Sequence, residues 1–254
     1  MPNSKQRREA ARRHLQRQLA SRQRRAARRR TAILASTVVG VLVVAAVVIT
    51  AVVMLTDDDS KTATASGTAN CAYTKSGTAA RTVDLPAASE PATGTVTATV
   101  ATNRGDLTFS LDRSKAPCTV GNFVSLATQK YYDDTPCHRL TTSGIFVLQC
   151  GDPTGKGTGG PGYTIPDEYT GSEKYTQGVL AMANTGAADT GGSQFFIVYK
   201  DSTSLPADYT IFGTVTKGLD VVQKVAAAGS DNSNATGDGA PKEAVTIKSV
   251  TLAG

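Results

Sequence analysis

Residues 137–152 read CHRLTTSGIFVLQCGD, and residues 180–197 read LAMANTGAADTGGSQFFI. Three short runs rich in aliphatic and aromatic side chains, 145–150, 178–183 and 194–199, lie in and around them, bounded by glycines, and each reads as a strand. The pattern continues outward. Residues 95–102 (TVTATVAT) alternate apolar and small polar side chains, Asn103-Arg104-Gly105 supplies a turn, and 106–111 complete a hairpin. Residues 209–215 and 244–252 read as further strands. Only two helices fit. One starts at Pro117 and places Val120, Phe123, Val124 and Ala127 at helical spacing. The other covers 218–228, gathers Val221, Val222 and Val225, and stops at Gly229. Many short strands with two helices over 95–254 predict a mainly β fold, a closed or nearly closed barrel.

The net charge of +6 is unevenly spread. Residues 1–30 carry twelve Lys or Arg and one acid, Glu9, for a net of +11, which leaves −5 on the rest. The basic character is a property of the tail, so no nucleic-acid partner is expected of the protein. The 24 residues 32–55 contain no charge and would form a helix of roughly 36 Å, enough to cross a hydrocarbon core of about 30 Å. A cleaved leader would have a shorter apolar run, and Asp57-Asp58-Asp59 follow this one directly. The reading is a basic cytoplasmic tail (1–30) with scope for anionic-lipid contact, and a single transmembrane helix (31–55). The remainder then lies outside a cell membrane, because basic flanks stay in the cytoplasm.

Residues 56–94 are rich in Thr, Ala, Ser and Gly, with Cys71 and Tyr73 as exceptions, and read as a flexible stalk before the folded domain 95–254. The four cysteines, Cys71, Cys118, Cys137 and Cys150, all fall outside the membrane on this topology. An even count there suggests two disulfides, with three possible connectivities.

Several catalytic motifs fail on inspection. Residues 157–162 (GTGGPG) match G-x-G-x-x-G, but no strand and helix flank them and Pro161 interrupts. Residues 151–157 (GDPTGKG) fall one short of a phosphate loop and lack its Ser/Thr. Gly192-Ser193-Gln194 lacks the closing glycine of a nucleophile elbow. His138 is the only histidine beyond His14, and no Cys-x-x-Cys occurs, so a zinc site is not expected.

Together the two opening stretches are distinctive. His138-Arg139-Leu140 leads to Phe146-x-x-Gln149-x-Gly151-Asp152, then Met182-Ala183-Asn184 with Gly192-Ser193-Gln194-Phe195-Phe196-Ile197, then Phe212-Gly213-x-Val215. This order resembles the cyclophilins, over roughly 95–254. The resemblance implies a closed eight-stranded antiparallel β-barrel capped by two α-helices, here preceded by the single transmembrane helix. It also implies peptidyl-prolyl cis-trans isomerisation, without nucleophile, metal or cofactor. Arg139 aligns with the family's catalytic arginine, with Gln149 and Phe146 beside it. Phe146, Val147, Phe196 and Leu205 would form the pocket for the proline ring. Ala183 and Asn184 would hold the residue before proline, while Gln194 and His138 line the same face and Tyr209 stands where a pocket histidine is usual. The partners implied are unfolded or extended X-Pro segments of exported proteins. A proline-peptide binding module with little turnover is the alternative.

The sequence departs from the family pattern in places. The segment 140–145 is about two residues longer, Val147 replaces a common methionine, and no Trp is present, with Ser204 or Leu205 in its region. Cys137 and Cys150 stand at the outer ends of the hairpin 138–149, which suggests Cys137–Cys150 and, with it, Cys71–Cys118. The missing tryptophan predicts active catalysis with weak cyclosporin binding. A cyclosporin titration of the isomerase rate should show inhibition only well above nanomolar concentrations, and a nanomolar inhibition constant would contradict the site assignment.

Overall fold

The computed structural model describes residues 67–253. The predicted membrane helix and basic tail lie outside the described residues. Within them the elements run β1 (Thr68–Asn70), β2 (Thr74–Lys75), β3 (Ser89–Pro91), β4 (Thr95–Thr102), β5 (Leu107–Asp112), α1 (Pro117–Thr128), β6 (Thr135–Pro136), β7 (Arg139–Thr141) and β8 (Val147–Cys150). They continue with β9 (Tyr163–Thr164), β10 (Val179–Met182), β11 (Phe195–Val198), β12 (Ile211–Lys217), α2 (Leu219–Ala228), β13 (Asp238–Gly239) and β14 (Thr246–Ala253).

Ten strands form one curled antiparallel sheet in the order β13-β7-β8-β11-β10-β12-β5-β4-β14-β6. This differs from the closed eight-stranded barrel expected. The hydrogen-bonded ladder is open, with β13 and β6 as its edges. The chain itself spans the gap: β6 pairs with β14, and only two residues, Cys137 and His138, separate it from β7, which pairs with β8. One extended run thus counts as two strands, and the two-residue β13 adds another. The main chain replaces the missing rungs.

Alternation fills the interior. In β4 the buried side chains are Val96, Ala98 and Val100, and in β5 Leu107, Phe109 and Leu111. Phe195 sits among Phe109, Phe123, Tyr132 and Phe212 with ring centroids 5.5–6.5 Å apart and mostly edge-to-face, the favoured aromatic geometry. Helix α1 contributes Val120, Phe123 and Leu126 to this core. Pro117 occupies its first turn, and no side chain caps it locally. Instead Glu168 reaches in from a distant loop and accepts the Cys118 and Thr119 N–H groups at 2.9 and 2.8 Å. Its carboxylate both satisfies orphan donors and complements the positive end of the helix dipole.

Residues 67–94 differ from the stalk that composition suggested, because they lie on the domain. β1 pairs with β3, β2 pairs with β9, and Ser76 and Ala80 donate N–H bonds to the Gly162 and Gly160 carbonyls. Arg81 donates to the Tyr131 carbonyl at 2.9 Å and also to that of Asp133. Composition alone misses this, since the segment gains its order from tertiary contacts and from a disulfide between Cys71 and Cys118, 47 residues apart. A second disulfide joins Cys137 to Cys150 across the start of β7 and the end of β8.

A crosslink closing a loop of that size constrains the unfolded chain strongly. Replacing Cys71 and Cys118 by Ser should lower stability by about 2–4 kcal/mol, read from urea denaturation of the full chain. Limited proteolysis should then cut within 72–90 before the barrel; unchanged stability would mean that the segment is held without the bond.

Candidate active site

Strands β8, β10 and β11 bury both of their faces, and this creates the site. Leu148, Leu180, Met182, Phe195 and Ile197 face the barrel core. Val147, Val179, Ala181, Phe196 and Val198 face the other way and form a second apolar cluster with Tyr175. Ala183, Leu205 and Tyr209 pack at its margin. Period-two geometry demands this split, since neighbours in a strand point to opposite faces.

Register then aligns a row across the second face. Arg139 in β7 lies opposite Gln149 in β8, Gln149 opposite Phe196 in β11, and Phe196 opposite Ala181 in β10. A cation, an amide and an aromatic ring therefore stand side by side over an apolar floor. The ring of Tyr209 meets Phe196 edge-on with centroids 5.4 Å apart. Tyr175 fixes Tyr209 by accepting its N–H and donating to its carbonyl, both at 2.9 Å. Burial pushes the Tyr175 phenol up to about 12, so it stays a donor at neutral pH. Nothing in its sequence surroundings singles Tyr175 out.

The polar end of the row is a continuous network. Arg139 donates from Nε and Nη2 to the two carboxylate oxygens of Asp238 at 2.8 and 2.6 Å, and from Nη1 to Gln149 Oε1 at 3.4 Å. Gln149 Nε2 donates to Gln194 Oε1 at 2.9 Å. Gln194 Nε2 in turn donates to the Gly157 and Gly159 carbonyls at 3.0 and 2.9 Å. The glycine-rich stretch that resembled nucleotide motifs thus serves to orient an amide. It is knit by the buried Asp152, which accepts from Thr154 N–H at 2.7 Å and Gly159 N–H at 3.0 Å. Burial alone would raise the Asp152 pKa, yet these hydrogen bonds outweigh it and hold the group below its ordinary value. Gly151 has φ +94°, and a Cβ there would strike the Ser193 carbonyl, so only glycine lets the two signature stretches approach so closely.

Hydrogen bonds from Arg139 depress the Asp238 pKa, and the same bonds raise that of Arg139, so both stay charged at neutral pH. Asp238, 99 residues from Arg139 in sequence, has no local pattern that would mark it as a partner.

Two recesses open beside the row. One, of about 530 Å³, runs along Gln149, Ala183, Asn184 and Gln194 between the glycine-rich loop and residues 76–78. The other, of about 420 Å³, holds His138, Arg139 and Gln149 with Lys156 and Asn234. Ala183 N–H is already bonded to the Gln194 carbonyl at 2.9 Å, and the Asn184 side chain is tied to the Asp208 carbonyl at 2.8 Å. Leu205, rather than the exposed Ser204, packs at the apolar cluster.

One expected member lies apart. Phe146 has the opposite parity to Val147, so its ring packs on the barrel core and meets Tyr199 edge-on at 6.1 Å, with Lys200 Nζ 4.4 Å from its centroid. It is not in the apolar cluster that holds Val147 and Phe196.

Residues 97–252 match the family model described as cyclophilin type peptidyl-prolyl cis-trans isomerase/CLD. The chain belongs to the cyclophilin family. It is 44% identical over 200 residues to a probable peptidyl-prolyl cis-trans isomerase B of Mycobacterium leprae, covering 72% of this chain and 66% of that one. A probable peptidyl-prolyl cis-trans isomerase B of Mycobacterium tuberculosis is also 44% identical, over 201 residues, covering 72% and 64%. The chain therefore spans less than two thirds of the length of these relatives. A Cryptosporidium parvum cyclophilin type peptidyl-prolyl cis-trans isomerase, crystallised in the presence of the dipeptide Ala-Pro, superposes with a TM-score of 0.55 at 34% identity. That match covers 62% of this chain and 99% of the other.

In this cyclophilin domain His138 carries a testable charge state. Both ring nitrogens are buried without a hydrogen-bond partner among the described residues. Burial lowers its pKa, assisted by Arg139 and opposed by Asp152 and by the nearby Gln194 side chain. With the folded pKa below the unfolded one, the unfolded chain takes up the proton first as pH falls. His138 should therefore lower stability progressively as pH drops below the unfolded value of about 6.5 and cost nothing above it. An NMR titration of the imidazole should give a midpoint below 6.5; a midpoint above it would mean that the ring is charged and paired.

Proposed function

We propose that the chain is a peptidyl-prolyl cis-trans isomerase that assists the folding of exported proteins on the outer side of a membrane. The observation that carries the reading is the row Arg139–Gln149–Phe196 at the edge of an apolar cluster. Rotation about an X–Pro bond is opposed by amide resonance, with a barrier of about 18–20 kcal/mol, and is slow without help. A donor aimed at the prolyl nitrogen is worth more once that nitrogen loses conjugation, so it favours the twisted transition state over both planar ground states. Arg139 supplies such a donor through Nη1, and a guanidinium never loses its proton at working pH. Gln149 accepts from the same Nη1 and steers it. Val147, Phe196, Leu205 and Tyr209 receive the proline ring. Ala183 and Asn184, with Gln194, border the recess for the residues before proline, as an extended pairing would use it. His138 lines the far side.

The location follows from the sequence. Residues 31–55 anchor the chain in the membrane once, residues 1–30 stay in the cytoplasm against anionic lipid, and the domain works outside. Two disulfides among the described residues support an oxidising compartment. Clients are unfolded or extended X-Pro segments, bound weakly, and cyclosporin binds weakly for want of a tryptophan.

The test is isomerisation of a short X-Pro peptide by the full chain in mild detergent, wild type beside Arg139→Ala. Arg139→Ala should lower the rate on the order of 10²–10³-fold with the fold intact. A folded wild type that binds proline peptides without accelerating them would make the domain a binding module instead.

A further inference from the structure

Arg139 is held at one edge only, and by a residue that the reading above does not use. We infer that Asp238 is a positioning residue for isomerisation: it fixes the guanidinium plane of Arg139 so that Nη1 alone is turned to the peptide. The inference rests on Arg139 being the catalytic donor.

A guanidinium is a rigid planar fork with three nitrogens, and a carboxylate matches one edge of it bidentately. Asp238 takes the Nε–Nη2 edge at 2.8 and 2.6 Å. The remaining nitrogen, Nη1, makes only the 3.4 Å contact to Gln149, which is long enough to yield to a better acceptor. Without Asp238 a partly exposed arginine would turn about its side-chain bonds and offer any nitrogen to the site. With it, two nitrogens are spent and the third is aimed.

Asp238 is itself well anchored. β13 pairs with β7 in the register Asp238–Thr141 and Gly239–Leu140, so the carboxylate sits on the strand next to the arginine it holds. Asn234 Nδ2 donates to its Oδ1 at 3.1 Å, and its own N–H donates to the Ala235 carbonyl at 2.8 Å. Thr142 N–H donates to the Gly237 carbonyl at 2.7 Å and docks the loop from the other side. Thr141 and Thr142 lie in the segment 140–145, the one whose length departs from the family pattern.

A carboxylate that merely staples the loop would matter as much without Arg139 as with it, and this separates the two roles. Turnover of an X-Pro peptide by the full chain is compared for wild type, Asp238→Asn, Arg139→Ala and the double variant. Asp238→Asn should lower kcat on the order of 10- to 100-fold, the scale of a displaced catalytic group. KM should stay within about twofold, since ground-state binding is untouched. In the Arg139→Ala background it should cost nothing further. An unchanged kcat in Asp238→Asn, or the same fold loss with and without Arg139, overturns the inference while leaving Arg139 as the donor. An Arg139→Ala variant as fast as wild type overturns both. The wild-type protein gives a reading that does not depend on a folded variant: 15N spectra should resolve separate, slowly rotating Nη signals for Arg139. One averaged signal would show that no fork holds it.

Discussion

Strands β8, β10 and β11 carry apolar side chains on both faces, with Gln149 the one polar exception, and the fold and the site compete for the same twelve residues. Phe195 and Phe196 are neighbours in the chain, yet one completes the aromatic core and the other joins the second apolar cluster, opposite Gln149. The constraint is the two-residue repeat of an extended chain, which assigns alternate side chains to opposite faces without exception. A slip of one residue between β8 and β11 would put Phe196 inside, drive Phe195 out and break the Arg139–Gln149–Phe196 row together. Core packing therefore fixes site geometry directly. The aromatic cluster around Phe195 holds the register, and the register holds the row.

Polar groups at the end of that row are satisfied in sequence, from Asp152 through the glycine-rich loop to Gln194, Gln149 and Arg139, with Asp238 closing the far side. A half-satisfied network of this kind would be costly where water is scarce, whereas a complete one defines a single arrangement. The backbone does much of this. Carbonyls of Gly157 and Gly159 orient the Gln194 amide, and small residues there keep the loop close. Side-chain chemistry at the row thus depends on main-chain carbonyls of a glycine-rich loop.

Much of this was legible in the sequence because it rests on short-range pattern. The alternation in 95–102 and the helical spacing after Pro117 appear as β4 and α1 with nearly the predicted limits. Arg139, Gln149 and Phe196 were visible through motifs whose order the fold preserves, and Tyr209 through the position where the family usually has a histidine. What stayed hidden depends on distant partners. Asp238 acquires meaning only when β13 docks on β7, and Tyr175 only when its hydroxyl meets Tyr209. Glu168 caps a helix that begins 51 residues earlier, which no local capping rule could reveal. Phe146 is the converse: a residue inside the motif, one position out of phase with the face to which the motif assigned it. The order of 67–94 was hidden too, since composition measures what a segment buries alone and not what a crosslink and a neighbouring sheet supply.

The bond between Cys71 and Cys118 has a mechanical consequence. Tension arriving along the chain from its N-terminal side would pass from Cys71 straight into the first turn of α1, bypassing the 46 residues between them. The covalent path of that load skips the β4–β5 hairpin, which stands between the two cysteines in the chain. Helix α1 is in turn buried against Phe195 and braced at its first turn by Glu168. A pull would therefore be shared among the barrel core as a whole, in the manner of a bolt through a frame, and not peel the sheet from its edge one rung at a time.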